Sequence, residues 1–277
     1  MFLQKGLTIM KISCTNTMVP GKTLTEKANR LYDCGYDGIS VFEEIESWTA
    51  EKEDELLHLE ENTGIHVCEF CFSGKDYGKL MHKDPEIAKR SKVIYEKTIA
   101  IGNQLGSVSE LEYQYAAQDP VPLLYPYQTM APEEAAHFCD IYASLAQQVV
   151  APSLLLIEPI NRYESPYINT LREGSTLVDM VDLPGTGLLF DTFHVALEEV
   201  DLCDAFRQYH KQIHHVHLGD HNRLLPGRGN LPWPRFIATI NELCYNGFVN
   251  LECAVLSDDA MGELKRTIQF LRVLSGT

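Results

Sequence analysis

Short apolar runs recur eight times along this 277-residue chain, and a helix-like stretch follows each one. The runs cover 11–16, 38–41, 65–70, 107–112, 153–159, 187–193, 213–218 and 248–255. They are rich in Val, Ile, Leu, Phe and Cys. Parallel strands have this composition, because helices cover the sheet and leave little of it to water. The stretches between them carry helix signals. Thr23-Leu-Thr-Glu26 and Thr170-Leu-Arg-Glu173 read as capping boxes. The stripe Leu24, Ala28, Leu31 follows the first box, and Gly35 ends it. Pro85 and Pro132 stand where a first helical turn needs no amide proton, the second opening a helix over 132–150. Pro234 opens another that stops before Asn246-Gly247, and a last helix covers 260–274.

Eight strand–helix pairs at this length, with no linker, predict an α/β fold: a single (β/α)8 barrel domain over 1–277. An open doubly wound sheet normally carries a Gly-rich phosphate loop after its first strand. Here that loop is Thr15-Asn-Thr-Met-Val-Pro-Gly-Lys22, which is not one.

Composition narrows the partners. The net charge of −16 repels phosphate backbones and anionic bilayers, so neither nucleic acid nor membrane is expected. No segment approaches the ~20 apolar residues of a membrane span. The start, Met1 to Met10, has neither a long apolar stretch nor a cleavage site, so no signal peptide is expected; the start codon stays open between Met1 and Met10. The eight cysteines lie scattered in apolar segments, which suits a reduced, cytoplasmic protein. Cys68 and Cys71 have the spacing of a redox or zinc pair, but in an extended strand their thiols would point to opposite faces.

Four ligand-type residues close the last four runs: Glu158, Asp191, His217 and Glu252. His194 lies three residues beyond Asp191. Any one of them alone reads as a rim residue. On a barrel, however, the carboxyl ends of the strands meet in one mouth. The four are therefore expected to form a metal site at the ends of strands five to eight, within 153–255. Carboxylate and imidazole together suit Mn²⁺, Mg²⁺, Co²⁺ or Zn²⁺. His194 reads equally as a buried, hydrogen-bonded histidine, and Arg223 as a surface arginine. His214 and His215 read as strand packing, and Trp233 as the seat of a helix start. His221 has no evident role. Glu43, Glu44, Glu69, Phe70, Phe72, Glu110, Glu112, Tyr113 and Tyr115 at the first four strand ends are walls or rim, with none assigned.

The segments Glu158-Pro-Ile-Asn-Arg-Tyr-Glu164, Asp191-Thr-Phe-His194, His217-Leu-Gly-Asp-His-Asn-Arg223 and Pro226-Gly-Arg-Gly-Asn-Leu-Pro-Trp233 carry a resemblance. They resemble the xylose-isomerase-like barrel superfamily and, within it, the ketose 3-epimerases of the D-tagatose and D-psicose group. The motif-bearing part is 153–255; the first half is similar only in its strand–helix rhythm. The resemblance implies one divalent ion, commonly Mn²⁺, held by Glu158, Asp191, His217 and Glu252. It implies substrate contacts from Glu164, His194 and Arg223, a sugar as substrate, and a homodimer or homotetramer.

The chemistry agrees. Moving a proton at the carbon beside a ketose carbonyl needs a Lewis acid, a base, and an acid on the other face. Glu158 and Glu252 are the expected pair, working through a metal-bound cis-enediolate. Arg223 would stabilise oxygen charge, and His194 and Glu164 would hold hydroxyl groups. The absence of an obvious phosphate cradle favours a non-phosphorylated sugar. The epimerases usually have Glu-Pro-Phe at the last strand, whereas this chain has Glu252-Cys-Ala. The loops after strands three and four match nothing, so the sugar stays open. An aldose–ketose or hydroxypyruvate-type isomerase using the same site is the alternative. An abasic-site DNA endonuclease would need an Asp-x-His where this chain has Asn230-Leu-Pro232. A non-catalytic sugar-binding relative would not need both flanking glutamates.

Overall fold

The structure, a computed structural model, describes residues 10–123 and 128–277. The reading of segment 1–9, including the choice of start, lies outside the described residues. In chain order the elements are β1 Lys11–Thr15, α1 Leu24–Cys34, β2 Gly38–Glu44, α2 Ala50–Leu57, α3 Leu59–Thr63, β3 His66–Ser73, α4 Pro85–Leu105 and β4 Val108–Leu111. There follow α5 Pro132–Ala146, β5 Leu154–Ile157, α6 Leu171–Val181, β6 Thr186–Asp191, α7 Thr192–Glu198, α8 Leu202–Tyr209, β7 Ile213–Leu218, α9 Trp233–Glu242, β8 Phe248–Leu251 and α10 Ala260–Ser275. The strands pair in parallel in sequence order, and β8 returns to β1 to close the barrel. The expected (β/α)8 fold is therefore observed.

Alternation along the strands sorts side chains into two sets. Ile12, Cys14, Val41, Phe70, Leu155, Ile157, Phe190, Val216, Val249 and Leu251 join the hydrophobic core under the helices. The residues between them face the barrel interior, and Ser13, Ser40, Glu69, His215, His217 and Asn250 are all buried there. Burying an aliphatic or aromatic side chain contributes roughly 1.5–3 kcal/mol each, so the outer layer stabilises the fold and the inner layer is left for chemistry.

Local signals set the boundaries. Thr170 and Glu173 complete a reciprocal box at the start of α6. Thr23 accepts from the Glu26 amide, but the Glu26 carboxylate turns to the Lys22 amide, so the first box is half-formed. Gly35 ends α1 at φ 92°, a left-handed conformation that costs glycine little. β6 stops at Asp191 rather than 193, because Asp191 Oδ1 accepts from the amides of Phe193 and His194 and bends the chain into α7. β8 stops at Leu251 rather than 255: beyond it, the Ala254 amide donates to the Arg223 carbonyl at 2.7 Å and ties the chain to the loop after β7. α5 ends at Ala146, four residues short of the expected helix over 132–150. The connections after β2 and β6 each hold two helices where one was expected.

Candidate metal centre and active site

Glu158 lies one residue past β5, Asp191 ends β6, His217 lies within β7, and Glu252 lies one residue past β8. Asp191 pairs with His217 in the sheet register, which sets two of the four side by side. One ligand-type atom from each of the four falls within 4.8 Å of the others. His217 Nδ1 lies 3.3 Å from Glu252 Oε2, 3.8 Å from Glu158 Oε1 and 4.0 Å from Asp191 Oδ2.

The donor set fits a divalent cation. His217 Nδ1 and Glu158 Oε1 are buried without a hydrogen-bond partner. Orphaned buried polar atoms are rare, and two of them facing one point call for a ligand. The other imidazole nitrogen is committed: Nε2 lies 3.0 and 3.1 Å from the two Glu69 oxygens. With Nε2–H donating to Glu69, the Nδ1 lone pair is free to ligate, the carboxylate–histidine arrangement common behind bound metals.

The electrostatics point the same way. Burial lowers the His217 pKa, but Glu69 and Glu252, with help from Glu158, overcome it and hold it well above its usual value. The surroundings thus favour positive charge at this point. Burial raises Glu69, yet His217 and His215 hold it below the usual carboxylate range. For Glu252, burial is likewise outweighed by His217 and Arg223. Glu158 stays raised, because burial is only partly offset by His217 and His194.

Arg223 reaches the same centre. Its guanidinium donates to Asp191 Oδ2 and to Glu252 Oε2, each at 2.7 Å, and lies 4.7 Å over the Phe193 ring. Such charge-assisted bonds are among the strong ones. Arg223 adopts φ 60°, and the loop holds it there. Buried Asp220 accepts from the amides of His221, Gly227 and Leu231 and from Trp233 Nε1, and Leu224 bridges to Ala254. Trp233 thus seats the start of α9, as expected. Among the described residues, His221 binds Asp220 and the Asn230 amide.

In the loop after β5, the Asn161 side-chain amide lies 2.7 Å from His194 Nδ1 and donates to Glu164 Oε1 at 2.9 Å. His194 is therefore a buried, hydrogen-bonded histidine, and Glu164 is half-buried beside it. His215 lies beneath the centre, 3.4 Å from Glu69. His214 packs over Gly187, a strand-packing role. Cys68 and Cys71 are free thiols turned to different strands: Cys68 to the Ile39 carbonyl on β2, Cys71 to the Glu110 amide on β4.

Three residues that hold the site's side chains and its loop in place, Glu69, Asn161 and Asp220, were given no role by the sequence. Glu69 is the lone acid in an otherwise apolar run from Val67 to Phe72, a signal that was present. Asn161 and Asp220 sit inside the motif segments, but only packing shows what they hold.

Comparison with known proteins now bears on the site. Residues 28–274 match the xylose isomerase-like TIM barrel family. The chain belongs to that family. A probable ketose 3-epimerase of Synechocystis is 27% identical over 224 residues, 79% of this chain and 74% of that protein. A D-psicose 3-epimerase of Enterocloster bolteae is 35% identical over 109 residues, 39% of this chain and only 36% of its own length. The crystal structure of a 3-keto-D-glucoside 4-epimerase from E. coli superposes with a TM-score of 0.83 at 22% identity, covering 95% of this chain and 99% of that one.

Proposed function

We propose that this protein is a divalent-metal-dependent ketose 3-epimerase in which Glu158 and Glu252 are the acid–base pair. The coarser statement rests on kinship: a sugar epimerase or isomerase, an enzyme of the isomerase class. One observation carries the finer reading. Glu158 and Glu252 arrive from β5 and β8 on either side of Asp191 and His217, and all four offer ligand atoms within 4.8 Å of one another. Asp191 and His217 complete the metal set, with Mn²⁺ the proposed ion. The described chain forms one barrel, and we take 1–277 as a single domain. Free cysteines throughout suit a reduced cytoplasmic setting.

The ion, when bound, would act as a Lewis acid on the ketose carbonyl. The residues supply the rest. One glutamate takes the proton from C3 of the sugar. Arg223 stands beside the oxygen charge that develops, its guanidinium already fixed by Asp191 and Glu252. The other glutamate returns a proton to the opposite face of C3. The two epimers interconvert, so each glutamate is base in one direction and acid in the other. His194 and Glu164, tied together through Asn161, fix hydroxyl groups of the sugar.

The test is a panel of free ketoses incubated with Mn²⁺-loaded protein in D₂O and followed by NMR. Deuterium at C3 is the expected result. Label at C1 or C2 instead would mean aldose–ketose isomerisation, and label at C4 would mean 4-epimerisation. No exchange into any sugar would remove the enzymatic reading.

A further inference from the structure

Glu112 stands one residue past the end of β4, and neither the proposed metal set nor the proposed acid–base pair uses it. Leu111 before it joins the core under the helices, so alternation turns Glu110 and Glu112 towards the barrel interior. Both are 4% exposed. One carboxyl oxygen from each falls within 4.8 Å of a Glu158 oxygen. The backbone enforces this proximity, since Glu110 pairs with Leu156 on β5 and the Glu158 amide donates to the Leu111 carbonyl at 3.1 Å. In the closed order of strands β4 stands across the barrel from β8, so Glu112 lies across the mouth from Glu252.

The two acids differ in what they still need. Tyr77 Oη donates to Glu110 Oε1 at 2.6 Å, which gives Glu110 a partner inside the protein. Glu112 Oε2 is buried with none. Gly78, in the loop after β3, lies beside it: a Cβ there would stand 3.4 Å from Glu112 Oε2. Burial, then Glu158, Glu252 and Glu164, hold the Glu112 carboxyl well above the usual range. Burial and Glu158 do the same for Glu110. The neutral acid is thus favoured at both, and neither calls for a cation. The three acids that act on Glu112 are those that border the proposed sugar space, so its carboxyl belongs to the same space. A neutral carboxyl both donates and accepts, and so does a sugar hydroxyl. A buried polar group left unpaired costs free energy, which favours a partner that arrives with the substrate.

We propose that Glu112 is a specificity-determining residue whose carboxyl binds a hydroxyl group of the sugar away from the reacting carbons, on the β4 side of the mouth. The inference rests on the reading of this mouth as a sugar site. Glu112 stands between the loops after β3 and β4, the part of the mouth that the epimerase motifs leave unassigned. A site built to hydrogen-bond a substrate hydroxyl rejects the analogue that lacks it, because the site's own buried group is then left unpaired.

The probes are D-fructose, D-psicose and D-tagatose. The sugar that binds most tightly is then compared with its forms lacking the hydroxyl at C1, C4, C5 or C6. Dissociation constants are measured by calorimetry on Mn²⁺-loaded full-length protein, wild type and Glu112→Ala, each shown folded by its melting curve. One deoxy sugar is expected to bind the wild type about 10–100-fold more weakly than its parent. Glu112→Ala should weaken the parent sugar by a similar factor and leave the affinity for that deoxy sugar unchanged. Glu112→Gln, whose amide also donates and accepts, should hold the parent nearly as the wild type does. Penalties that add at every position, or a Glu112→Ala affinity equal to that of the wild type, overturn the contact. Should Glu112→Ala not fold, Glu112→Asp, one methylene shorter, takes its place in the same comparison. A sugar that binds but takes up no deuterium at C3 sinks the proposed reaction, while the same constants still decide Glu112. No binding of any of the three sugars to the wild type overturns both.

Discussion

The two halves of the barrel contribute differently to one mouth. β5 to β8 present Glu158, Asp191, His217 and Glu252 directly to the centre. β1 to β4 mostly stand behind it: Glu69 fixes the far nitrogen of His217, and Ser13 and Thr15 bind Asn250 beneath. A ligand-type side chain in the second half ends its apolar run, and a supporting one in the first half sits inside it. The proposed ligands and the residues that orient them are thus divided between halves that sequential pairing brings face to face.

Four outcomes would sharpen or break this division. The largest effect belongs to the second half. Glu252→Gln should lower exchange at C3 by about 10³-fold or more, since it removes half of the proposed acid–base pair. Activity near the wild-type level, with a native circular dichroism spectrum, would take Glu252 out of that role. Next comes the first half. Glu69→Gln should weaken Mn²⁺ binding by about 10–100-fold, the usual cost of losing a partner behind a ligating histidine. Calorimetry would measure it, and unchanged affinity would reduce β3 to a passive wall.

Asn161→Ala comes third. It removes the side-chain bond to Glu164 and one of the two bonds that Asn161 makes to His194 Nδ1, each typically worth about 0.5–1.5 kcal/mol, and leaves the backbone amide beside His194. The expectation is a roughly tenfold rise in KM with metal affinity intact; a fall in metal affinity instead would make Asn161 part of the centre. The smallest effect concerns stability. Burial pushes the Asp220 carboxyl up, but bonds from Trp233, His221 and Leu231 outweigh it and hold it below its usual value. A depressed carboxyl stabilises the fold above its unfolded value of about 4, and that contribution fades as pH falls through the folded value. Asp220→Asn should therefore cost about 1 kcal/mol at neutral pH, with the gap narrowing below about pH 4. Urea titrations across pH would show it, and a pH-independent gap would mean that Asp220 acts by shape alone.

Much of the barrel was legible because its signals are local. Thr170 with Glu173, Pro85 and Gly35 mark boundaries that the structure keeps. The overruns at 193 and 255 have a single cause. Apolar composition says that a segment is buried, but not whether it continues as strand. At Asp191 a side-chain cap decides, and at Ala254 a bond to a distant loop decides. Cys68 shows the same limit. The register between β2 and β3 slips beside it, which no pattern of residue types announces.

The sequence by itself determined the parallel barrel and the identity of the four ligand-type residues, since both follow from residue types at fixed places in short apolar runs. Only the tertiary structure decided which nitrogen of His217 faces the centre, that Glu69 holds the other, and that Glu110 and Glu112 crowd against Glu158. Those facts depend on side chains more than a hundred residues apart, or on adjacent strands, meeting inside a closed sheet. Such proximity is set by register and closure, and is not written in any single segment.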